Sequence, residues 1–349
     1  MRCHKANIFT KYALEKFILE KIIDLSHEVA EYPRLVDKRR TWLATDLTAE
    51  DWTIQLGQIE HDEIYSMIKK ISENPAPMYL RHPDQFDIPN LRKAYTKCKT
   101  NLQKGVGFSV IDKLPIDVHE IDEIVTVYWI LGQLIGPNVA QKWDGTMVYD
   151  VTDTKKKYEY GVRGSATNIE LVFHTDNAFG RRVPDSVGLL CRNHAKSGGL
   201  SRFCNLYSLH SRMEDNYSDE LARLYQPVYF DRQAEHAKGA PIVTFAPFFS
   251  WSGDNLRCRA NTSLIRKGYE LAGQEMDFLL LKAIQVIEEV TSSPDLWIEA
   301  PLKRGEVQYL NNHELGHYRS DFEDYDDIDK KRHLYRLWHR SDGDITYDG

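Results

Sequence analysis

The chain contains 349 residues and has a formal net charge of −7, because 45 Lys and Arg residues are set against 52 Asp and Glu residues. Its hydrophobic fraction is 42%, and its 7 Trp, 19 Tyr and 13 Phe can fill a large core, which excludes a mainly disordered chain. The acidic balance also lacks the positive field of a general nucleic-acid binder. We therefore expect a globular protein without nucleic acid as a partner.

The cysteines and the amino-terminal composition indicate a compartment. There are five cysteines, and no two of them have the C-x-x-C spacing of a metal site. An odd number, without a recognisable signal peptide, favours a reducing environment, so we predict a cytoplasmic protein. The longest uncharged stretch, 124–141, contains glycine and proline and is shorter than the about 20 apolar residues of a membrane span. It predicts a buried helix that ends near Gly136, and no membrane partner.

Helical periodicity dominates the first part of the chain. Apolar residues recur three and four apart from Lys11 to Val29, which predicts a first helix. Thr48, followed by Asp51 at the third helical position, predicts the start of another helix that continues to about Ile71. We expect residues 1–100 to form a helical extension packed on a core of residues 101–349, the two making one structural unit.

From Gly105 onward, short apolar segments bounded by turn residues predict strands. The predicted strands cover 105–111, 169–173, 186–191, 227–230, 242–245 and 307–310. Helices are predicted at 121–135 and 268–291, and an exposed loop at 150–164. Strands with few interposed helices predict a mainly β fold with helical additions, a barrel or sandwich rather than a doubly wound sheet.

A His-x-Asp sequence ends one of these strands. On a strand, residues two apart face the same side, so His174 and Asp176 can point together into one cavity. One imidazole nitrogen and one carboxylate oxygen supply two ligands of a facial triad on Fe(II), which a distant histidine would complete. The second His-x-Asp, at 82–84, has proline in its middle and no strand before it, so it predicts a turn.

Three further blocks follow His174 in order. Residues 195–202 read A-K-S-G-G-L-S-R, residues 311–319 read N-N-H-E-L-G-H-Y-R, and residues 332–338 read R-H-L-Y-R-L-W. With His-Thr-Asp, these blocks resemble the taurine dioxygenase and clavaminate-synthase-like family of Fe(II)/2-oxoglutarate-dependent oxygenases. The resemblance covers about residues 105–340 and implies a double-stranded β-helix, or jelly-roll, core.

The resemblance implies a catalytic metal site. His174 and Asp176 match the proximal ligands of the family, and His317 matches the distal one. His313 and His333 compete for the distal position. The family pattern has four residues between its Asn-Asn pair and the ligand, which favours His317.

The resemblance also implies the cosubstrates 2-oxoglutarate and O2. Arg332 matches the first arginine of the family's last block and Arg336 the second, while Ser201 matches a hydroxyl beside the 2-oxoglutarate. Arginine suits this position because its planar, permanently charged fork can hold a carboxylate through two hydrogen bonds.

The reaction implied by the resemblance is hydroxylation of an unactivated C–H bond in a small polar, amino-acid-like metabolite, with release of succinate and CO2. Family members contact substrate through the region before the metal strand, here Arg163, Asn168 and Glu170. Desaturation or oxidative cyclisation on the same scaffold stays open, as do a protein-modifying oxygenase and a metal-dependent hydrolase. The sequence also leaves a homo-oligomer open.

Overall fold

The computed structural model describes residues 22–32, 36–159 and 161–349. The strands in these ranges are β1 (Ile22–Asp24), β2 (Thr53–Ile54), β3 (Phe108–Ile111), β4 (Asn138–Val139), β5 (Tyr149–Thr152), β6 (Leu171–His174), β7 (Ser186–Asn193), β8 (Ser197–Gly198), β9 (Ser201–Asn205), β10 (Pro227–Asp231), β11 (Val243–Pro247), β12 (Phe249–Ser252), β13 (Asn255–Cys258), β14 (Trp297–Glu299), β15 (Val307–Asn311), β16 (Leu315–Arg319), β17 (Phe322–Glu323) and β18 (His333–His339). The α-helices are α1 (Ala49–Trp52), α2 (Gln58–Glu73), α3 (Pro89–Lys104), α4 (Ile121–Gly132), α5 (Leu206–Asn216), α6 (Ser218–Leu224), α7 (Thr262–Ala272) and α8 (Phe278–Thr291).

Two sheets form the centre of the fold. The larger has the order β2-β3-β15-β7-β18-β4, with β5 also paired to β18, and the smaller has the order β14-β9-β16-β6. Inward-facing apolar side chains of both sheets share one buried cluster, in which the rings of Phe108 and Phe203 stack with their centroids 4.5 Å apart. The two sheets therefore face each other across a common core, which is the arrangement that alternating strand sequences favour.

Helices cover the outer face of the larger sheet. Apolar residues of α2, α3 and α4 form one buried cluster with residues of β7, β15 and β18. Tyr95 of α3 packs edge-on against Tyr309 of β15, with a centroid distance of 5.9 Å. A second group of helices, α5 to α8, packs with β10 to β13 around another apolar cluster. The fold is mainly β with helical additions, as the sequence predicted.

All six predicted strands overlap observed ones, namely β3, β6, β7, β10, β11 and β15. The predicted helix at 121–135 corresponds to α4. Three observed helices were not predicted. Of these, α3 begins with Pro89 at its first turn, and α5 begins after Asn205, whose side chain accepts a hydrogen bond from the Ser208 N–H. Both are recognised helix-start signals.

Two of the predicted helices were wrong in extent. The helix from Thr48 to Ile71 is interrupted because Thr53 and Ile54 pair in parallel with β3 at the sheet edge. Asp51 still accepts a 2.7 Å hydrogen bond from the Thr48 N–H, so the predicted cap is present on the short α1. Sheet pairing thus overrides the local helical pattern.

The predicted helix at 268–291 is two helices. Gly273, with a φ of 63°, ends α7 in the left-handed conformation that glycine adopts readily. Asp277 then caps α8 by accepting a 2.8 Å hydrogen bond from the Leu280 N–H.

Two further predictions need adjustment. The predicted helix from Lys11 to Val29 lies partly outside the described residues. Its described end contains the strand β1, which pairs with β11, and a 3-10 turn at Ser26–Glu28. The start of the predicted loop at 150–164 belongs to β5, because it pairs with β18. Among the described residues, none of the helices combines the length and apolar character that crossing a membrane requires.

We predict that Gly268→Ala destabilises the protein, although alanine is favoured over glycine by about 1 kcal/mol inside a helix. A Cβ on Gly268 would lie 2.8 Å from the carbonyl carbon of Phe230 and closer still to the Tyr229 carbonyl, so α7 could not stay against β10. We expect the free energy of unfolding, measured by urea denaturation, to fall by about 1–3 kcal/mol. The exposed control Glu270→Ala should change it by less than about 0.5 kcal/mol. A stabilised Gly268→Ala protein would contradict the close packing.

Candidate metal centre and cosubstrate pocket

Strands β6 and β16 bring two histidines opposite each other. His174 and His317 are register partners in this antiparallel pair, and their ring centroids are 4.2 Å apart. The Oδ1 atom of Asp176 lies 3.8 Å from Nε2 of His174 and 3.5 Å from Nε2 of His317. One nitrogen or oxygen atom from each residue falls within 4.8 Å of the others. Within the described ranges, this is the only cluster of three such side chains with metal-binding geometry.

An asparagine holds the backbone that follows β6. The side chain of Asn312 accepts a 2.8 Å hydrogen bond from the Asp176 N–H and donates a 3.0 Å bond to the Asp176 carbonyl. Asn177 has a φ of 55°, a left-handed conformation that asparagine tolerates better than most residues. One residue of the Asn-Asn pair in the motif therefore fixes the turn that carries the carboxylate.

The second oxygen of Asp176 is bound from the larger sheet. Trp338 Nε1 donates a 2.7 Å hydrogen bond to Oδ2, and Arg336 Nη1 lies 2.9 Å from the same atom. Burial alone would raise the pKa of Asp176, but the Arg336 charge and the hydrogen bond with His317 hold that pKa far below its usual range. The carboxylate is ionised, and Oδ1 is the oxygen that faces the two histidines.

The protonation state of His174 suits metal binding. Nδ1 of His174 lies 2.7 Å from the Val172 carbonyl, and because a carbonyl oxygen can only accept, Nδ1 carries the proton and Nε2 keeps its lone pair. Burial, followed by the nearby His317, lowers the pKa of His174 to about 3. His174 is therefore a neutral imidazole near pH 7, which is the form that binds metals.

These three side chains line a cavity of about 290 Å³. Two arginines lie in the same cavity wall, Arg332 on the approach to β18 and Arg319 at the end of β16. Each is only 6% exposed. Their guanidinium groups contact the same ring, with Cζ of Arg332 5.2 Å and Cζ of Arg319 4.9 Å from the Phe322 centroid.

Neither guanidinium forms a salt bridge with a carboxylate among the described residues, although the more distant charges of Asp324 and Asp153 act on Arg332 and Arg319, respectively. Nη1 of Arg332 is buried without a hydrogen-bond partner, and so are Nε and Nη1 of Arg319. Burial lowers the pKa of Arg332 to about 10. Burial, followed by the Arg332 charge, lowers the pKa of Arg319 to about 9. Both remain charged near pH 7, so this end of the cavity is positive.

The Gly-Gly of the second sequence block packs against this region. Gly199 has a φ of 67°, and a Cβ there would lie 3.1 Å from Nε of Arg332. Ser201, the first residue of β9, also lines the cavity. The block therefore combines a tight turn that accommodates the arginine with a hydroxyl beside it.

Two of the three predicted substrate contacts line the cavity, and the third does not. Arg163 and Glu170 line the cavity, whereas Asn168 does not, because its amide donates a 3.3 Å hydrogen bond to the Phe322 carbonyl. Arg163 is paired with Glu235, and Glu170 accepts a hydrogen bond from the Tyr318 hydroxyl.

His313 and His333, the two other candidates for the distal ligand, make contacts outside the triad. Nε2 of His313 is 3.1 Å from Nη1 of Arg257 and 3.2 Å from Oδ1 of Asp185. His333 contacts Asp150 at 2.7 Å. The second His-x-Asp, at 82–84, lies at a 3-10 turn, as predicted.

Sequence reasoning missed Arg319 as a site residue. Arg319 is the last residue of the matched block at 311–319, but the block's pattern predicts no role for it. The available signal was its position two residues after His317 on a strand, which places both side chains on one face.

Comparison of the sequence with known proteins identifies one family and two relatives. Residues 75–338 match the model of the taurine catabolism dioxygenase TauD, TfdA family. FR-33289 synthase of Streptomyces rubellomurinus is 26% identical over 87% of this chain and 89% of its own length. A taurine hydroxylase-like protein of Stachybotrys chartarum is 22% identical over 96% of this chain and 84% of its own.

Solved structures share the fold. An asparagine oxygenase in complex with Fe(II), 2S,3S-3-hydroxyasparagine and succinate is similar with a TM-score of 0.61 and 17% identity, over 83% of this chain and 94% of that one. The non-heme iron oxygenase OrfP, in complex with Fe, succinate and (3S)-hydroxy-L-Arg, has a TM-score of 0.62 and 15% identity over the same shares. Because the family model covers most of the chain, this protein belongs to the TauD/TfdA family of Fe(II)/2-oxoglutarate-dependent dioxygenases.

Proposed function

We propose that this protein is an Fe(II)/2-oxoglutarate-dependent hydroxylase that acts on a C–H bond of a small polar, amino-acid-like metabolite. One observation carries the proposal: the His174–Asp176–His317 cluster and the buried, unpaired guanidinium of Arg332 line a single cavity. Such a cluster suits a metal that keeps open positions, and such a cation suits a dianionic cosubstrate. A hydrolase with the same triad would instead need a general base and would have no use for the buried arginine.

The three ligands fit Fe(II). Two imidazole nitrogens and one carboxylate oxygen form the donor set of a facial triad. Arg336 and Trp338 both bind Oδ2 of Asp176, which favours metal binding through Oδ1 alone. Fe(II) bound there, with 2-oxoglutarate and O2, supplies the oxidising chemistry that hydroxylates an unactivated C–H bond and releases succinate and CO2.

The cosubstrate would extend from the triad to the positive end of the cavity. We assign Arg332 to its distal carboxylate, with the Ser201 hydroxyl beside it. Arg336 is already held by Asp176 and by Gln141 Oε1 at 2.8 Å, so it balances negative charge next to the metal. Arg332 would therefore supply positive charge at the distal end of a bound dianion, and Fe(II) held by the triad would supply it at the other end.

The substrate assignment rests on the chemistry of the other cavity residues and on the relatives. Arg163 and Glu170 offer charges of opposite sign, which suit the carboxylate and ammonium groups of an amino acid. The asparagine oxygenase and OrfP structures contain hydroxylated amino acids. We therefore propose Arg163 and Glu170 as substrate contacts and leave out Asn168, which lies outside the cavity.

Three broader proposals accompany this function. We propose that the two facing sheets form a double-stranded β-helix, supported by their antiparallel strands and shared core. We propose that residues 1–100 and 101–349 make one structural unit, and contacts between their described parts, such as Tyr95 with Tyr309, support this. A cytoplasmic location is supported by the free, buried state of the described cysteines, Cys98, Cys191, Cys204 and Cys258.

We predict that His317→Ala lowers Fe(II) affinity by more than about 100-fold, because even residues that only support metal ligands contribute about 10–100-fold. His313→Ala is the matched control and should bind Fe(II) like the wild type, since its ring contacts Arg257 and Asp185 instead. Anaerobic calorimetric titration with Fe(II) measures both. Loss of binding in His313→Ala with retention in His317→Ala would reverse the distal assignment.

We predict that Arg332→Ala weakens 2-oxoglutarate binding by about 10- to 100-fold while Fe(II) affinity stays close to wild type, because charged hydrogen bonds are worth about 1.5–3 kcal/mol. Titration of the Fe(II)-loaded protein under anaerobic conditions gives both affinities. Arg304→Ala is the control, since Arg304 forms an ion pair with Asp117. Unchanged 2-oxoglutarate binding in Arg332→Ala would refute the assignment.

A further inference from the structure

Arg319 carries a buried positive charge without a salt-bridge partner among the described residues, and the carboxylate whose charge reaches it, Asp153, is itself paired with Lys155 at 3.2 Å. Arg319 is 6% exposed and forms no ion pair with a carboxylate among the described residues. Its Nη2 donates to the Thr167 carbonyl at 2.9 Å and to the Ile169 carbonyl, while Nε and Nη1 have no partner. A buried charge and unsatisfied donors both destabilise a fold unless something compensates them. The cavity beside them is the place where an anion can do so.

Arg332, the neighbouring arginine, also has a buried donor without a hydrogen-bond partner. Arg332 is equally buried, its Nη1 is also unpartnered, and both guanidinium groups pack against Phe322 and line the cavity. Two adjacent like charges repel each other, so an apolar substrate group or a neutral amide at this position would leave the repulsion in place. A carboxylate has two oxygens and four lone-pair sites, which is enough to accept hydrogen bonds from two guanidinium groups.

The separation of His317 and Arg319 along β16 suits a ligand that extends from the triad to Arg319. Arg319 follows His317 by two residues on β16, so the two side chains lie on the same face and are separated by about 7 Å along the strand. A ligand that chelates a metal at His317 and extends along this face reaches Arg319 with its far end. The carbonyl groups of Thr167 and Ile169 accept hydrogen bonds from Nη2, which orients the guanidinium, while Nε and Nη1 keep unused hydrogen-bonding capacity.

We propose that Arg319 is a second anchor for the distal carboxylate of 2-oxoglutarate, acting together with Arg332 as a two-arginine clamp. The inference rests on the proposed function, because it requires 2-oxoglutarate to bind at the triad. It adds a residue that selects the cosubstrate: a 2-oxo acid without the distal carboxylate gains nothing from the clamp.

The test compares two ligands that differ at the distal end. Anaerobic Fe(II)-loaded protein is titrated with 2-oxoglutarate and with 2-oxobutyrate, which chelates through the same 2-oxo acid group but has no distal carboxylate. We expect Arg319→Met to weaken 2-oxoglutarate binding by about 10-fold or more and to leave 2-oxobutyrate binding unchanged. Arg202→Met is the control, because Arg202 lies on the adjacent strand β9, outside the cavity lining, and is paired with Glu299 at 3.0 Å.

The outcomes separate a clamp from a structural role. Equal weakening of both ligands, or no weakening of either, would overturn the proposal. If Arg319→Met does not fold, judged by its thermal unfolding, Arg319→Lys replaces it. Arg319→Lys keeps the charge but loses the fork, so it should still weaken 2-oxoglutarate selectively. Failure of the wild-type protein to bind 2-oxoglutarate would refute the proposed function itself, which is a different result from wild-type binding that Arg319→Met leaves intact.

Discussion

The structure depends on one carboxylate that joins its two sheets. Asp176 follows β6 of the smaller sheet, and its Oδ2 is bound by Arg336 and Trp338 from β18 of the larger sheet. Its Oδ1 faces His174 and His317, which pair across β6 and β16. The same residue therefore completes the candidate metal-binding cluster and connects the two sheets beside it. This arrangement fixes one oxygen to the protein and leaves the other for a metal.

The second constraint is the local charge of the cavity. The chain as a whole has a net charge of −7, yet Arg332 and Arg319 place two guanidinium groups with unpartnered donors in a buried region. A protein gives up solvation energy to keep such groups buried, and the cost is recovered when an anion binds. The positive end of the cavity and the triad at its other end together define the length and charge of the expected cosubstrate.

Sequence reasoning predicted the cluster because its information is local. His174 and Asp176 share a strand end, and the blocks containing His317 and Arg332 occur in a family order. The structure brings these residues into one cavity. The role of Arg319 was not predicted, because it depends on which neighbours fail to pair with it, and sequence does not show unpaired donors. The ion pair of Arg163 with Glu235 was not predicted either, because it joins residues that are distant in sequence.

The errors in secondary structure have a related cause. The helix expected from Thr48 to Ile71 is broken by sheet pairing of Thr53 and Ile54, a contact with β3 that is distant in sequence. In contrast, the division between α7 and α8 was locally encoded, since Gly273 and Asp277 are a stop and a start signal. The long-range break could not be read from the local pattern, whereas the second break could have been.

The central claim is that this cavity binds Fe(II) and 2-oxoglutarate together. The most direct measurement is the visible absorption spectrum of the wild-type protein as both are added under anaerobic conditions. We predict a weak charge-transfer band that requires both components and is absent when either is omitted. No band, together with no effect of 2-oxoglutarate on the thermal unfolding of the Fe(II)-loaded protein, would contradict the account.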